Sequence, residues 1–188
     1  MTIPGFAIVG VTGGKAFTRN DCLAVQYKWA SRSRVAAQVY TNLNGVPIGY
    51  WDNHCEPTDA ACSAFHYGYN AAAQAVAYAR SQKADPKSWW LDVETMNAWS
   101  DNHFLNERVI AGAIEYLQAI GKDVGIYSTP YQWGEIAGGY APNLPAWTAG
   151  AEYLADAQRR CTPEFAFGGG QVKYVQYIDG EFDVNFAC

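Results

Sequence analysis

Positive charge is scarce in this sequence: 13 lysines and arginines stand against 18 aspartates and glutamates, a formal net charge of −5. Such a balance leaves no basic stripe to displace counterions from a phosphate backbone, which excludes nucleic acid as a partner. No apolar run approaches the ~20 residues of a membrane span, so no membrane partner is expected. Metal-ligand spacing is missing as well. No Cys-x-x-Cys or histidine pairing completes a zinc set, and His54, His66 and His103 are scattered over loops and helix starts, where surface or capping roles suit them. Nor is there a phosphate cradle. In "GVTGGKAFT" the P-loop positions for Gly and Ser/Thr are held by Val9 and Ala16, and the dinucleotide fingerprint fails too. A Gly-x-Ser-x-Gly elbow is absent. No metal and no cofactor are expected. An export signal is also missing, because "MTIPGFAIVG" lacks a basic leading region and a cleavage site.

What is present reads as one globular unit, residues 1–188. That length buries roughly 70% of the unfolded surface around a single core. Aromatic residues make up 15%, with 7 Trp and 13 Tyr. They suit a Trp-rich core, a groove that stacks flat ligands such as sugar rings, or both. Of the five cysteines, Cys55 and Cys62 in "CEPTDAAC" suit a small disulfide loop, and Cys161 and Cys188 could clip the last segment to the body. Cys22 is left over. Disulfides would imply an oxidising compartment.

Strands and helices alternate along the chain. "FAIVGV" is a short buried strand running into Thr-Gly-Gly; "DCLAVQYKWAS" is a helix; "VAAQVYTN" is a second strand. A loop of about 20 residues follows, long enough to be functional. Helical spacing then runs from 63 to about 84, ended by Asp85-Pro86, and from about 102 to 120, ended by Gly121. Between them lies "SWWLDVE". The segments "VGIYS", "LPAWTAG", "KYVQYI" and a short "FDVN" read as further strands, with short helices near 130–138 and 151–159. This alternation predicts a parallel sheet with right-handed crossovers, either open and doubly wound or closed as a barrel.

The sharpest chemical signal is "WWLDVETMNAW", residues 89–99. Residues two apart on a strand project from one face, so Trp90, Asp92 and Glu94 share a side while Leu91 and Val93 take the other. In a barrel the apolar pair packs on helices and the acids point inward at the carboxyl end of the strand, where such folds carry their chemistry. Two acids that close perturb each other's titration, and an apolar wall keeps one protonated near neutral pH. One protonated and one ionised carboxylate are the working parts of glycosidic cleavage. The structural alternative is a strand-end pair that accepts backbone amides or an Arg.

"WWLDVETMNAW", "GIYSTPYQW", "LPAWTAG" and "VQYIDGEFDVNF" occur in the order and spacing of glycoside hydrolase family 25, the muramidase-type lysozymes, which this chain resembles from "FAIVGVTGG" onward. The resemblance implies an irregular TIM-like β/α barrel and cleavage of the β-1,4 bond between N-acetylmuramic acid and N-acetylglucosamine in peptidoglycan. It implies Glu94 as general acid, and Asp92 as the group that stabilises developing positive charge or orients the acetamido group. Asp183 in "FDVN" matches the family's last-strand acid. Tyr127, Trp147, Gln176 and Trp99 would line a glycan groove, with barrel packing as the alternative role of each. The expected partner is a peptidoglycan-like polysaccharide, and the expected state is a secreted monomer.

The chain also departs from the family. The family's opening Asp-bearing strand has no counterpart before residue 6, "GVTGGKAF" lacks the family's Glu, and "VYTNLN" replaces a Tyr-His strand end. These departures imply remodelled subsites and a barrel one strand short, seven where closure needs eight. They lead to the expectation that the natural product extends upstream through an export signal, the missing strand and a cysteine partner for Cys22. Without that strand, unpaired edges would invite association and lower activity. A catalytically silent glycan-binding barrel, and a cytosolic enzyme with reduced cysteines, are the competing readings. A chitinase fits less well, because "DPKSWWLDVE" lacks that family's longer run of acids.

Overall fold

A computed structural model describes residues 4–188. Its elements follow in chain order: β1 (Ile8–Gly10), α1 (Leu23–Ala30), β2 (Gln38–Asn42), α2 (Ala60–Ser81), β3 (Ser88–Asp92), α3 (His103–Ala119), β4 (Asp123–Ser128), α4 (Pro130–Ala137), β5 (Ala146–Ala151), α5 (Leu154–Arg159), β6 (Val172–Asp179) and β7 (Phe182–Ala187). Polar side chains start the longer helices. Asp59 accepts from the Cys62 amide ahead of α2, Asn102 from Phe104 ahead of α3, and Thr129 from Gln132 ahead of α4, where Pro130 occupies the first turn.

The seven strands form one sheet in sequence order, β1 to β7, with β1 and β7 at its two edges. Neighbours from β1 to β6 pair in parallel. The last strand corrects the expectation of an all-parallel sheet: β7 pairs antiparallel with β6, Asp179 opposite Phe182. Only Gly180 and Glu181 separate the two strands, and Gly180 takes a φ of 65°. A two-residue turn of this kind makes a hairpin, and no crossover helix fits in so short a connection.

Alternation within the strands sorts side chains into two layers. Val9, Val39, Trp89, Leu91, Val124 and Ile126 pack outward against apolar faces of α1 to α4. Trp90, Tyr127, Trp147 and Tyr174 fill the inside, with Ile8 and Tyr40 against them. The sheet curls so far that strands that are not neighbours meet. Gln38 on β2 donates to the Tyr174 hydroxyl on β6 at 2.9 Å, and its amide oxygen accepts from the Trp90 indole at 2.8 Å. The architecture is an incomplete TIM-like barrel, helices outside and aromatic rings inside.

Helices α2 and α3 cross with their backbones nearly touching. A Cβ on Gly68 would lie 1.8 Å from the Val109 carbonyl oxygen, and one on Gly112 would lie 1.9 Å from that of Phe65. No other residue fits either crossing point.

Two disulfides close, Cys55–Cys62 and Cys161–Cys188, and Cys22 is free and exposed. The second spans 27 residues and ties the end of β7 to the segment after α5. Replacing Cys161 and Cys188 together by serine is expected to lower the unfolding free energy by about 2–4 kcal/mol, because the unfolded chain regains the freedom of that loop. A denaturation midpoint unchanged from the parent would contradict this.

Candidate active site

Asp92 ends β3 on the inner face, with Trp90 inside and Leu91 and Val93 outside in the helix-packed layer. Only 4% of its surface is exposed. A charge there needs partners, and a relay supplies one. The Thr12 hydroxyl donates to Asn42 Oδ1 at 2.7 Å, which turns the Asn42 amide nitrogen toward Asp92 Oδ2. Asp92 Oδ1 has no partner at hydrogen-bonding geometry. Burial and the neighbouring Glu94 both favour the protonated form of this carboxyl, which lowers the cost of the unpaired oxygen.

Glu94 follows two residues beyond the strand end and is half-buried. The loop that carries it is pinned from three sides. The Trp99 indole donates to the Glu94 carbonyl at 2.9 Å, Ser128 Oγ donates to the Val93 carbonyl at 2.7 Å, and the Gln132 amide oxygen accepts from the Thr95 backbone at 2.7 Å and its hydroxyl at 3.0 Å. That orientation leaves the Gln132 amide nitrogen to face the Glu94 carboxylate.

Electrostatics follow from this placement. Burial first, then the Glu94 charge, pushes the Asp92 carboxyl up to about 8. Burial also raises Glu94, opposed by hydrogen bonding with Asp92 and Gln132 and reinforced by the Asp183 charge. Both acids move in the direction that holds protons near neutral pH, so the pair titrates as a unit and keeps one proton there. Tyr127 is raised by burial and then by the Glu94, Asp92 and Asp183 charges. It therefore remains a donor, to Gln176 Oε1 at 2.7 Å.

A folded-state pKa raised above the unfolded value means that the native state holds the proton longer. The stability this contributes is complete below the unfolded value near 4 and falls as pH rises toward 8. The slope reaches at most about 1.4 kcal/mol per pH unit. The parent is accordingly expected to melt at progressively lower temperature from pH 5 to pH 8. Asp92→Asn, which still accepts from Asn42 but carries no proton to lose, should flatten that trend. Parallel pH–Tm curves for the two proteins would contradict the assignment.

The wall of the cleft is aromatic. Tyr127 and Trp147 meet edge to face at 4.5 Å, and Trp147 meets Trp90 at 5.8 Å and Tyr40 at 6.2 Å. Gly125 makes room for the Trp90 ring, since a Cβ there would sit 2.3 Å from it. The Trp147 indole donates to Asn185 on β7 at 2.8 Å. A cleft of about 390 Å³ opens between β1 and β7, lined among others by Tyr40, Trp147, Gln176, Asp183 and Asn185. A larger cavity of about 790 Å³ lies at the other end of the sheet, near the Cys161–Cys188 disulfide, and no carboxylate side chain lines it. Chemistry, not size, marks the first.

The structure thus brings Asp92, Glu94, Asp183, Tyr127, Trp147 and Gln176 to one region. Trp99 stands apart: its ring packs against the helix-side core and its N–H is committed to the Glu94 carbonyl. Sequence reasoning missed Asn42, Tyr40 and Gln132. The first two share the inner face of "VYTN" by simple alternation, a signal that was readable. Gln132 had no such signal, because it comes from a helix start.

An inward-curled β/α half-barrel with acids at the carboxyl end of a central strand belongs to the TIM-like barrel class, with its charged groups at the face where such folds carry their chemistry. A family model described as "Lysozyme-like protein 1" matches residues 57–154, and the chain belongs to that lysozyme-like family. Among curated relatives, the "Probable GH family 25 lysozyme 4" of Dictyostelium discoideum is 34% identical over 97 residues, 48% of this chain and 42% of that protein. The chain thus spans less than half the length of this relative. Two solved structures share the fold. The glycosyl hydrolase 25 of Streptococcus pneumoniae has a TM-score of 0.63 at 17% identity, over 97% of this chain and 76% of that one. The modular autolysin LytC of the same organism, solved with a synthetic peptidoglycan ligand, has a TM-score of 0.59 at 16% identity, over 95% and 38%.

Proposed function

We propose that this chain, as one barrel domain, hydrolyses β-1,4 glycosidic bonds of peptidoglycan outside the cell, with Glu94 as the proton donor. One observation carries the reading: a half-exposed Glu94 beside a buried Asp92, both raised in pKa, at the carboxyl end of β3 next to Tyr127 and the inner aromatic layer. Lysozyme-like family membership and the two disulfides support it.

In the proposed reaction Glu94 transfers its proton to the glycosidic oxygen as the bond from that oxygen to C1 breaks. Positive charge grows on C1 and the ring oxygen. Asp92, having shared its proton with Glu94, stabilises that charge electrostatically from its buried position beside Glu94, without touching the sugar. Asp183 adds negative potential from β7. A water molecule then adds to C1, and its released proton restores the acid pair. Tyr40 and the edge of Trp147 offer apolar ring surface at the cleft, backed by Tyr127, and Gln176 and Asn185 offer amides to sugar hydroxyls. Trp99 acts in this scheme by positioning, since it holds the backbone of Glu94.

Incubation with purified peptidoglycan and measurement of new reducing ends tests the proposal. Release by the parent supports it. Sedimentation with peptidoglycan without any release would instead favour a silent glycan-binding barrel.

A further inference from the structure

We infer that Asp52, His54 and His66 form a binding site for one divalent transition-metal ion of the zinc or copper type. The site lies on the loop between β2 and α2 and shares no residue with the Asp92–Glu94 cleft. One ligand atom from each of the three residues lies within 4.8 Å of the other two. Nothing in the sequence groups them, because twelve positions separate the histidines and the carboxylate falls in a loop.

The carboxylate is held in place before any ion arrives. Asp52 is 7% exposed. Its Oδ1 accepts from the His54 backbone amide at 3.0 Å and faces His54 Nδ1 at 2.7 Å. Its Oδ2 accepts from Asn70 on α2 at 3.1 Å and from the Tyr50 hydroxyl at 3.3 Å. A turn stabilised by Asp52 explains His54, but it does not explain His66. The His66 ring projects from α2 and stacks on His54 with centroids 5.4 Å apart and planes 15° apart. It makes no side-chain hydrogen bond among the described residues. Two imidazoles and an oriented carboxylate are a donor set that suits zinc or copper and is poor for calcium or magnesium.

Metal bonds of about 2.0–2.2 Å in a tetrahedral shell put ligand atoms about 3.4 Å apart, so the 2.7 Å Asp52–His54 pair opens slightly while separations of up to 4.8 Å close. His54 supplies the motion. Its side chain is 71% exposed, and a small turn exchanges its hydrogen bond to Asp52 for a shared ion. The sulfurs of Cys55 and Cys62 also approach His66, but they are bonded to each other and offer no thiolate. The ion would therefore take two nitrogens and one oxygen from the protein and complete its shell with water. Bound there, it joins the loop to α2 beside the disulfide, a second staple on the same segment.

The test uses tag-free, chelator-stripped protein with its disulfides intact and Cys22→Ser throughout, since the exposed thiol is itself a zinc ligand. Zinc is titrated by calorimetry, and melting is followed with and without zinc. One equivalent should bind per chain and raise the melting temperature. His54→Gln and His66→Gln should each weaken binding by at least about 10-fold, the loss that even outer-shell changes produce, and cancel the shift in melting. His103→Gln should leave both unchanged. Absence of a one-equivalent isotherm in the parent would overturn the inference, as would full binding in both the His54 and His66 variants. His54 is exposed enough that its variant should fold with the parent's metal-free melting temperature.

Discussion

Glu94→Gln is expected to cut peptidoglycan turnover by ~100-fold or more, the range lost when a general acid is removed, while leaving retention on insoluble peptidoglycan close to that of the parent. The amide has nearly the shape of the acid and can still face Gln132 and Asp92, so the loop should not move. What it cannot do is deliver a proton to a leaving oxygen. Asp92 remains nearby, but its carboxyl is 4% exposed and bound to Asn42, out of a substrate's reach. Loss of retention together with turnover would make Glu94 a binding group. Equal turnover in variant and parent would remove it from the mechanism altogether.

The second large effect concerns stability. Gly112→Ala should destabilise the fold by about 3 kcal/mol or more, the upper end for overpacking a site that cannot yield. The new methyl group would meet the Phe65 carbonyl oxygen at 1.9 Å and the Tyr69 amide at 2.9 Å, both rigid backbone of α2. The helices must move apart, and the interlock loses contact along its length. Alanine's better helix propensity returns only about 1 kcal/mol. Gly134 in α4 is the control, since a Cβ there meets nothing within 4 Å. Gly134→Ala should be neutral or slightly stabilising. Equal denaturation midpoints for the two alanine variants would refute the close-crossing argument.

Much of this organisation was legible in the residues. Strand–helix alternation located nearly every element, because each carries an apolar face of the correct period, and the two-residue period of "SWWLD" separated Trp90 and Asp92 from Leu91. The cysteine pairs were legible from loop chemistry. The direction of β7 was not, although Asp179-Gly180 is a hairpin signal, because "KYVQYI" and "FDVN" each satisfy the strand pattern in either direction. The supporting amides escaped for a different reason. Asn42 and Gln132 matter through which way a neighbouring group turns them, and that depends on contacts 30 to 37 residues distant in sequence. Carboxylates announce themselves by charge; amides do not. His54 and His66 are a similar case, since their meeting depends on how a loop returns to a helix.

The hairpin that carries Asp183 gives the acids unequal mountings. Asp92 and Glu94 extend from a strand clamped by neighbours on both sides and tied down through Asn42, Trp99 and Ser128. Asp183 rides a cantilever: an exposed position on the outermost strand, one residue into β7 after the tight turn at Gly180, anchored at its far end by the Cys161–Cys188 bridge. A displacement of that arm would change the potential at Glu94 without breaking the bonds that hold Asp92 and the Glu94 backbone. A lengthened turn would therefore act as a trim adjustment on acidity, separable from the core of the barrel.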